Sequence, residues 1–358
     1  MHNLKEAIKE HTSERMIEYD IARGIGIMAV LLGHSKIGVN LIYAFHMPLF
    51  FVISGYFAGG GIGRKIKVLL KPYFVTCFSM ALLYCCTEGI ARIIIKSDFS
   101  TVITTIKDIL FASIIGLGYH ERIGIAILPA IGPIWYLLAL IWAMILLKLY
   151  THFANTLFPA VIIGTIGLLT SRWFWLPWSI QEGMVASIYL SVGFEYHKHQ
   201  DIDLTKNRFV HCGILGLAIL YVLICLKMNS HIDMVSNKYP LGVIDFVGTI
   251  CCVISVMYIS KMIGRKKQGV AQCVQWLGKN TLVMLCVHTI EIRIFPWWVI
   301  NKMLSGIREQ LIINWIVFGI RIILVLGGTY IVNWAIKKYK MRIIDLEKVN
   351  ASRKDKQK

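Results

Sequence analysis

The sequence predicts an all-α integral membrane protein: a bundle of about ten transmembrane helices with one amphipathic helix at the outer surface. Two observations lead to this prediction. Hydrophobic residues make up 56% of the 358 residues, while charged residues make up only 16%. Apolar runs of about 20 residues, long enough to cross a bilayer, recur along the chain. Because lipid offers the backbone no hydrogen-bond partners, such spans must be helices.

Ten apolar runs are predicted as spans, of which the fifth and sixth are short. They cover residues 17–35, 42–60, 73–95, 131–150, 156–171, 180–196, 209–227, 241–262, 277–296 and 312–336. The chain therefore divides into a cytoplasmic N-terminal segment (1–16), a membrane domain (17–336) and a basic cytoplasmic tail (337–358). Between the third and fourth spans, isoleucines and a leucine recur at mostly helical spacing over 96–130, which predicts the amphipathic helix.

The net charge of +18 could suggest a nucleic-acid partner, but the basic residues crowd into alternate loops. They are Arg64, Lys65, Lys67 and Lys71, then Lys198, Lys206 and Arg208, then Lys261, Arg265, Lys266 and Lys267, and finally Lys337, Lys338, Lys340 and Arg342. By the positive-inside rule these loops face the cytoplasm, and ten spans put both termini there. We therefore expect a multi-pass protein of a bacterial-type cytoplasmic (inner) membrane, with lipids and no nucleic acid as partners.

Eight of the nine cysteines lie within predicted spans, where a free thiol behaves as a small apolar side chain. The sequence has neither a disulfide framework of the secreted type nor a pair of zinc-binding CxxC motifs. No metal is expected.

Arg23 and His34 stand out because both lie inside the first apolar run. An arginine at the bilayer centre costs about 2.5–3.5 kcal/mol, so it indicates a functional site. Their separation is about three helical turns, which places them on one face of a helix, about 16 Å apart along its axis. Asp20 lies one turn before Arg23 and can pair with it. A structural ion pair with an interfacial histidine is equally compatible with the residue chemistry.

His46 begins the second span and would lie near the same outer end as His34, although a lone histidine there is more often a cap or an interfacial residue. A glycine-rich segment, 59–63, follows that span and precedes a basic run. Exposed backbone N–H groups beside basic side chains can bind phosphates, but a flexible positive-inside loop is the favoured interpretation. The candidate phosphate-binding side chains of this run are Arg64, Lys65, Lys67 and Lys71.

Several motifs occur in a fixed order along the chain. They are Arg23 followed by His34, the segment 50–56 with Ser54, the basic run into Pro72 and Tyr73, the segment 132–137 with Trp135, and the segment 277–282 leading to His288. This ordered set resembles the membrane-bound acyltransferase 3 family, and the segment 45–48 is similar to its fucose 4-O-acetylase-like branch.

The resemblance implies a membrane enzyme that moves an acyl group, usually acetyl, from cytoplasmic acetyl-CoA to a hydroxyl of a cell-surface carbohydrate or its lipid-linked precursor. It also implies that Arg23 and His34 are the functional pair. We interpret Arg23 as the group that binds coenzyme A phosphates and His34 as the general base. An acyl-histidine intermediate is the less favoured alternative.

Further candidates are weaker. His288, with Glu291 one turn on, is a candidate to orient or assist the base. Ser54, Tyr73 and Trp135 are supporting candidates, although tryptophan and tyrosine are also common at bilayer interfaces. A transporter or flippase of an envelope precursor would also show a polar site within the membrane, and a non-catalytic partner in an envelope assembly is a third possibility. The acceptor, the acyl length and the oligomeric state stay open.

Overall fold

The computed structural model describes residues 2–59, 61–95, 100–119, 121–123, 126–128, 130–199, 208–265 and 269–355. Within these ranges, the side chains of 2–16, 91–95, 121–128, 208 and 343–355 lie outside the description. The predicted N-terminal segment is thus described by its backbone alone. Of the basic loop residues, Lys206, Lys266 and Lys267 lie outside the described residues.

The described chain is almost entirely helical, which confirms the predicted class. The helices are α1 (His2–His34), α2 (Val39–Ile42), α3 (His46–Tyr56), α4 (Ile62–Ile95), α5 (Ser100–Ile115), α6 (Trp135–Tyr150), α7 (Leu157–Thr170), α8 (Ile180–Lys198), α9 (Arg208–Lys227), α10 (Val243–Gly264), α11 (Val270–Lys279), α12 (Thr281–Ile294), α13 (Trp297–Met303) and α14 (Gln310–Asp355). Two short antiparallel strands, β1 (Glu121–Ile123) and β2 (Ala126–Leu128), form a hairpin between α5 and α6.

Among the described residues, six helical segments are long and apolar enough to cross a bilayer. They are Val39–Tyr56, Ile62–Ile90, Gly132–Tyr150, Phe209–Lys227, Val243–Gly264 and Gln310–Arg342. A seventh is added if α12 and α13, bent by 65° at their junction, count as one broken span. The chain is therefore a multi-pass membrane protein, while the count of ten stays a prediction.

The predicted spans 17–35, 156–171 and 180–196 are also helical but are not long and apolar enough to be counted among these segments. The first of them carries three charged residues, Glu18, Asp20 and Arg23. Helix α7 has only 14 residues. Helix α8 carries Gln181, Glu182 and Glu195, all of which are buried, because α8 packs against α3, α6 and α7. A helix that is covered by its neighbours need not be apolar all round, so hydropathy underestimates it.

Helix α5 lies where the amphipathic helix was predicted. One face, with Val102 and Ile109, is buried where the helix packs along α4. Large apolar side chains on its other face, including Phe111 and Ile114, are exposed. That pattern fits contact with lipid on one side and protein on the other, and a position at the outer surface stays a prediction.

The predicted boundary between the last span and the basic tail, at 336 and 337, does not coincide with the end of a helix. Helix α14 runs without a break to Asp355. Lysine, arginine, leucine, methionine and glutamate are good helix formers, which explains why the helix continues beyond its apolar part.

Glycines allow the central helices to approach closely. A Cβ at Gly55 of α3 would collide with the backbone of Leu190 in α8, and one at Gly193 of α8 would collide with the backbone of Val52 in α3. This reciprocal contact is the small-residue packing typical of membrane helices. It fixes α3, which forms one wall of the site described below.

Gly193→Leu is expected to lower the stability of the protein in detergent by about 1–3 kcal/mol or more, because the new side chain cannot fit without separating α3 from α8. Gly213→Leu is the matched control, since nothing lies within 4 Å of a Cβ built at Gly213 of α9. The measurement is thermal unfolding followed by size-exclusion chromatography. Equal melting temperatures for the two variants would contradict this packing.

Candidate active site

A cavity of about 570 Å³ lies in the middle of the helical bundle. Its walls come from α1, α3, α4, α6 and α12, and from the segments before α6 and α10. Of the residues predicted to form the site, those that line the cavity are Arg23, His34, His46, Ser54 and Trp135. These five come from three helices, α1, α3 and α6, of which α6 is far from the other two in sequence.

Helix α1 presents one continuous face to the cavity. Arg23, Ile27, Val30 and His34 all line it, at intervals of three or four residues that keep side chains on one side of a helix. Both polar groups therefore face the same space rather than lipid. They mark its two ends, about 16 Å apart along the axis of α1.

The Arg23 end of the cavity is the cationic end. Arg23 Nη1 lies 3.5 Å from Asp20 Oδ1, and its guanidinium carbon lies 5.3 Å from the centre of the Phe57 ring. Lys65 Nζ donates a hydrogen bond of 2.7 Å to the carbonyl oxygen of Phe57. Two cations thus meet at Phe57, and only one of them has a carboxylate partner among these contacts.

The other basic candidates on α4 are placed differently. Arg64, Lys67 and Lys71 are exposed, and none of them lines the cavity. Lys65 does not line the cavity either, but it shares Phe57 as a contact with Arg23.

The His34 end of the cavity contains several imidazoles. His34 is exposed to the cavity, whereas His46 is buried and its Nδ1 lies 2.9 Å from the carbonyl oxygen of Ile42. A carbonyl can only accept a hydrogen bond, so His46 Nδ1 carries the proton. In the neutral ring His46 Nε2 is then an acceptor.

A buried chain of polar contacts lies directly behind His34. The ring of His288 is 5.0 Å from that of His34, in an edge-to-face arrangement. His288 Nδ1–H donates to Glu291 Oε2 at 2.8 Å, and Arg321 Nε donates to both carboxylate oxygens of Glu291 at 3.2 and 3.3 Å. Arg321 Nη1 donates to Ser35 Oγ at 2.8 Å. The chain links α12 and α14 back to α1.

His288 itself does not line the cavity. It is completely buried, and its Nε2 has no hydrogen-bond partner within the described part of the chain. Since Nδ1 carries the proton, Nε2 is an acceptor lying in the layer next to His34. His288 therefore contacts the His34 ring from outside the cavity, and Glu291 contacts His288 in turn.

Arg321 and Ser35 were missed at the sequence level, although a signal for Arg321 existed. Arg321 is an ionisable residue inside the predicted span 312–336, the same signal that singled out Arg23. Ser35 follows His34 directly and also donates to the Leu31 carbonyl. Serine is common in such positions, so no sequence pattern would have identified it.

Of the supporting candidates Ser54 and Tyr73, Ser54 lines the cavity and Tyr73 does not. Ser54 Oγ lies 3.5 Å from the hydroxyl of Tyr136, which also lines the cavity. The Tyr73 hydroxyl donates a 2.7 Å hydrogen bond to the Ser113 carbonyl, which ties α4 to α5.

Comparison with known proteins identifies a family. The family model described as an acyltransferase domain matches residues 16–334. Nodulation protein NolL of Mesorhizobium japonicum is 33% identical over 89 residues, a match that covers 18% of this chain and 24% of that protein. The chain thus spans about a quarter of the length of this curated relative. No solved structure matches.

Arg321→Met is expected to destabilise the protein by about 3–5 kcal/mol, because it leaves the buried Glu291 carboxylate without its cation. Adding Glu291→Gln should recover most of this loss, since the glutamine oxygen still accepts from His288 and no charge is left buried. Thermal unfolding in detergent measures both effects. Arg172→Met, at an exposed position, is the control. If the double variant were no more stable than Arg321→Met, the buried Glu291 carboxylate would not be the cause of the loss of stability.

Proposed function

Because the chain belongs to the acyltransferase domain family, whose model matches residues 16–334, we propose that this membrane acyltransferase is an O-acetyltransferase. It moves acetyl from cytoplasmic acetyl-CoA to a hydroxyl of a cell-surface carbohydrate or its lipid-linked precursor. The observation that carries the proposal is the single cavity lined by Arg23 at one end and His34 at the other.

The donor fits this cavity by chemistry and length. A guanidinium forms strong charge-assisted hydrogen bonds with phosphate oxygens, and Lys65 adds a second positive charge beside Arg23. Between Arg23 and His34 the α1 face is apolar, with Ile27 and Val30. The pantetheine arm would extend along these side chains and bring the thioester to His34.

The reaction needs one base that later acts as an acid. A neutral His34 takes the proton from the acceptor hydroxyl while the oxygen attacks the thioester carbonyl. The carbon–sulfur bond then breaks, and the imidazolium returns the proton to the coenzyme A thiolate. No other proton donor is required. An acyl-histidine intermediate remains the less favoured route.

The chain behind His34 would hold this imidazole in place. His288 Nε2 is an acceptor next to the His34 ring, and Glu291, fixed by Arg321, sets its tautomer. This is the logic of a base oriented by a second group and a carboxylate. His46, which lines the cavity and whose Nδ1–H is held by the Ile42 carbonyl, is a second candidate to assist at the same end.

The proposed orientation follows from the basic loops. Arg23 would lie toward the cytoplasm, where acetyl-CoA is made, and His34 toward the outer face. The protein would lie in a bacterial-type inner membrane with both termini in the cytoplasm.

His34→Ala is expected to lower kcat for acetyl transfer at least about 100-fold, since general base catalysis contributes 100- to 10,000-fold. The KM for acetyl-CoA should change little. The assay follows labelled acetyl from acetyl-CoA into envelope glycan in isolated membranes. His152→Ala is the control, because His152 is exposed and does not line the cavity. Undiminished transfer by His34→Ala, or glycan movement without covalent change, would exclude the proposed reaction.

Arg23→Gln is expected to raise the KM for acetyl-CoA by about 10- to 100-fold, the effect of losing a hydrogen bond between charged groups. Acetyl-pantetheine, which lacks the phosphates, should be used equally well by the variant and the unaltered protein. Arg172→Gln provides an exposed control. A KM that rose to the same extent for acetyl-CoA and for acetyl-pantetheine would rule out the role of Arg23 in binding phosphates.

A further inference from the structure

We propose that the His34 end of the cavity is a binding site for an uncharged sugar ring, formed by Tyr43, His231 and Asp233. All three side chains line the cavity. The inference rests on the proposed function, because it assigns the place and the chemical class of the acceptor in that reaction. Nothing in the family match distinguishes charged from uncharged acceptors.

Asp233 is held in a closed turn between α9 and α10. Its backbone N–H donates to the Lys238 carbonyl, and the Lys238 N–H donates back to the Asp233 carbonyl, both at 2.9 Å. Ser236 Oγ donates to Asp233 Oδ2 at 2.6 Å. Oδ1 has no hydrogen-bond partner within the ranges that the structure describes. A fixed carboxylate oxygen is therefore available to accept a hydrogen bond from a ligand.

The hydrogen bonds of His231 determine which of its nitrogens can bind a ligand. Asn40 Nδ2 donates to Asn229 Oδ1 at 3.1 Å, so Asn40 presents its oxygen to His231 Nδ1, 3.0 Å away. Nδ1 must then carry the proton, and Nε2 of the neutral ring is an acceptor. His231 and Asp233 thus both offer acceptors to a group that brings hydroxyl hydrogens.

Tyr43 supplies an aromatic surface at the same place. Its ring lies 4.8 Å from that of His46 and 4.9 Å from that of His231, both edge-to-face. These contacts immobilise the ring, so little entropy is lost when a ligand packs on it. A sugar has an apolar C–H face and hydroxyls at its rim, which matches an aromatic ring beside two hydrogen-bond acceptors.

The distribution of charge indicates which sugars fit. Among the described residues that line the cavity, Arg23 is the only arginine or lysine, and it lies at the opposite end. The His34 end carries the Asp233 carboxylate instead. Lys238, in the same turn as Asp233, lies over the ring of Tyr119 and does not itself line the cavity. A uronic acid or a phosphorylated sugar would therefore place its anion near Asp233 without a cation on the cavity wall there. An uncharged hexose, deoxyhexose or N-acetylhexosamine meets no such repulsion.

The test uses membranes from cells that carry the gene, labelled acetyl-CoA, and glycan from the same cells after mild alkaline removal of O-acetyl groups. Asp233→Asn should raise the KM for this glycan about 10-fold or more, because the carboxylate accepts more strongly than an amide. The kcat and the KM for acetyl-CoA should stay within about 2-fold. Asparagine still accepts from Ser236, which preserves the turn. Asp108→Asn, exposed on α5, is the matched control.

A second pair of variants guards against a change in folding. His231→Gln keeps a hydrogen-bond acceptor and should leave the KM for glycan within about 3-fold, whereas His231→Leu should raise it about 10-fold. An unchanged KM in both Asp233→Asn and His231→Leu would place the acceptor elsewhere and overturn the inference.

Mass spectrometry of the labelled product identifies the acetylated sugar, and organic extraction separates lipid-linked glycan from polymer. Acetyl on an uncharged sugar in either fraction supports the inference, and acetyl on a uronic acid or phosphorylated sugar overturns it. His34→Ala distinguishes the two failures. Transfer that persists in His34→Ala contradicts the proposed function. If His34→Ala abolishes the transfer but the unaltered protein places acetyl on an acidic sugar, only the acceptor site is contradicted.

Discussion

The structure depends on one constraint: an ionisable side chain inside a membrane domain must face a polar cavity or a partner. Arg23 and His34 satisfy it by facing the same cavity. Arg321 satisfies it through Glu291, with both side chains buried. Both arrangements come together at the end of α1. Ser35 accepts a hydrogen bond from Arg321, and the neighbouring His34 faces the cavity. The proposed chemistry therefore uses ionisable groups whose positions are already fixed by the cost of placing them inside a membrane.

Close packing makes this arrangement rigid. Gly24 and Gly278 bring α1 against α11, just as Gly55 and Gly193 bring α3 against α8. A Cβ at Gly278 would collide with the backbone of Asp20, the residue that pairs with Arg23. The helix that carries the proposed phosphate-binding and base residues is thus fixed against α11. Such support lets a site maintain the distance between two groups that must contact opposite ends of one donor.

Much of this could be predicted from the sequence, but only where a local signal existed. The spacing of Arg23 and His34 predicted their common face, and hydropathy predicted a multi-pass helical protein. Hydropathy could not identify α8 securely, because its polar residues are buried by neighbouring helices. Tyr73 belonged to a motif but packs against α5 instead of the cavity. The segment before α10 has no periodic pattern, so the position of His231 and Asp233 on the cavity depends on long-range packing that no short stretch of sequence specifies.

The most direct test of the central claim is an electron cryomicroscopy structure of the protein with a coenzyme A analogue whose thioester is replaced by a ketone. The account predicts phosphates on Arg23 and the ketone group next to His34, with the pantetheine arm along Ile27 and Val30. An analogue bound outside the cavity, or inside it with its phosphates at His34, would contradict the account.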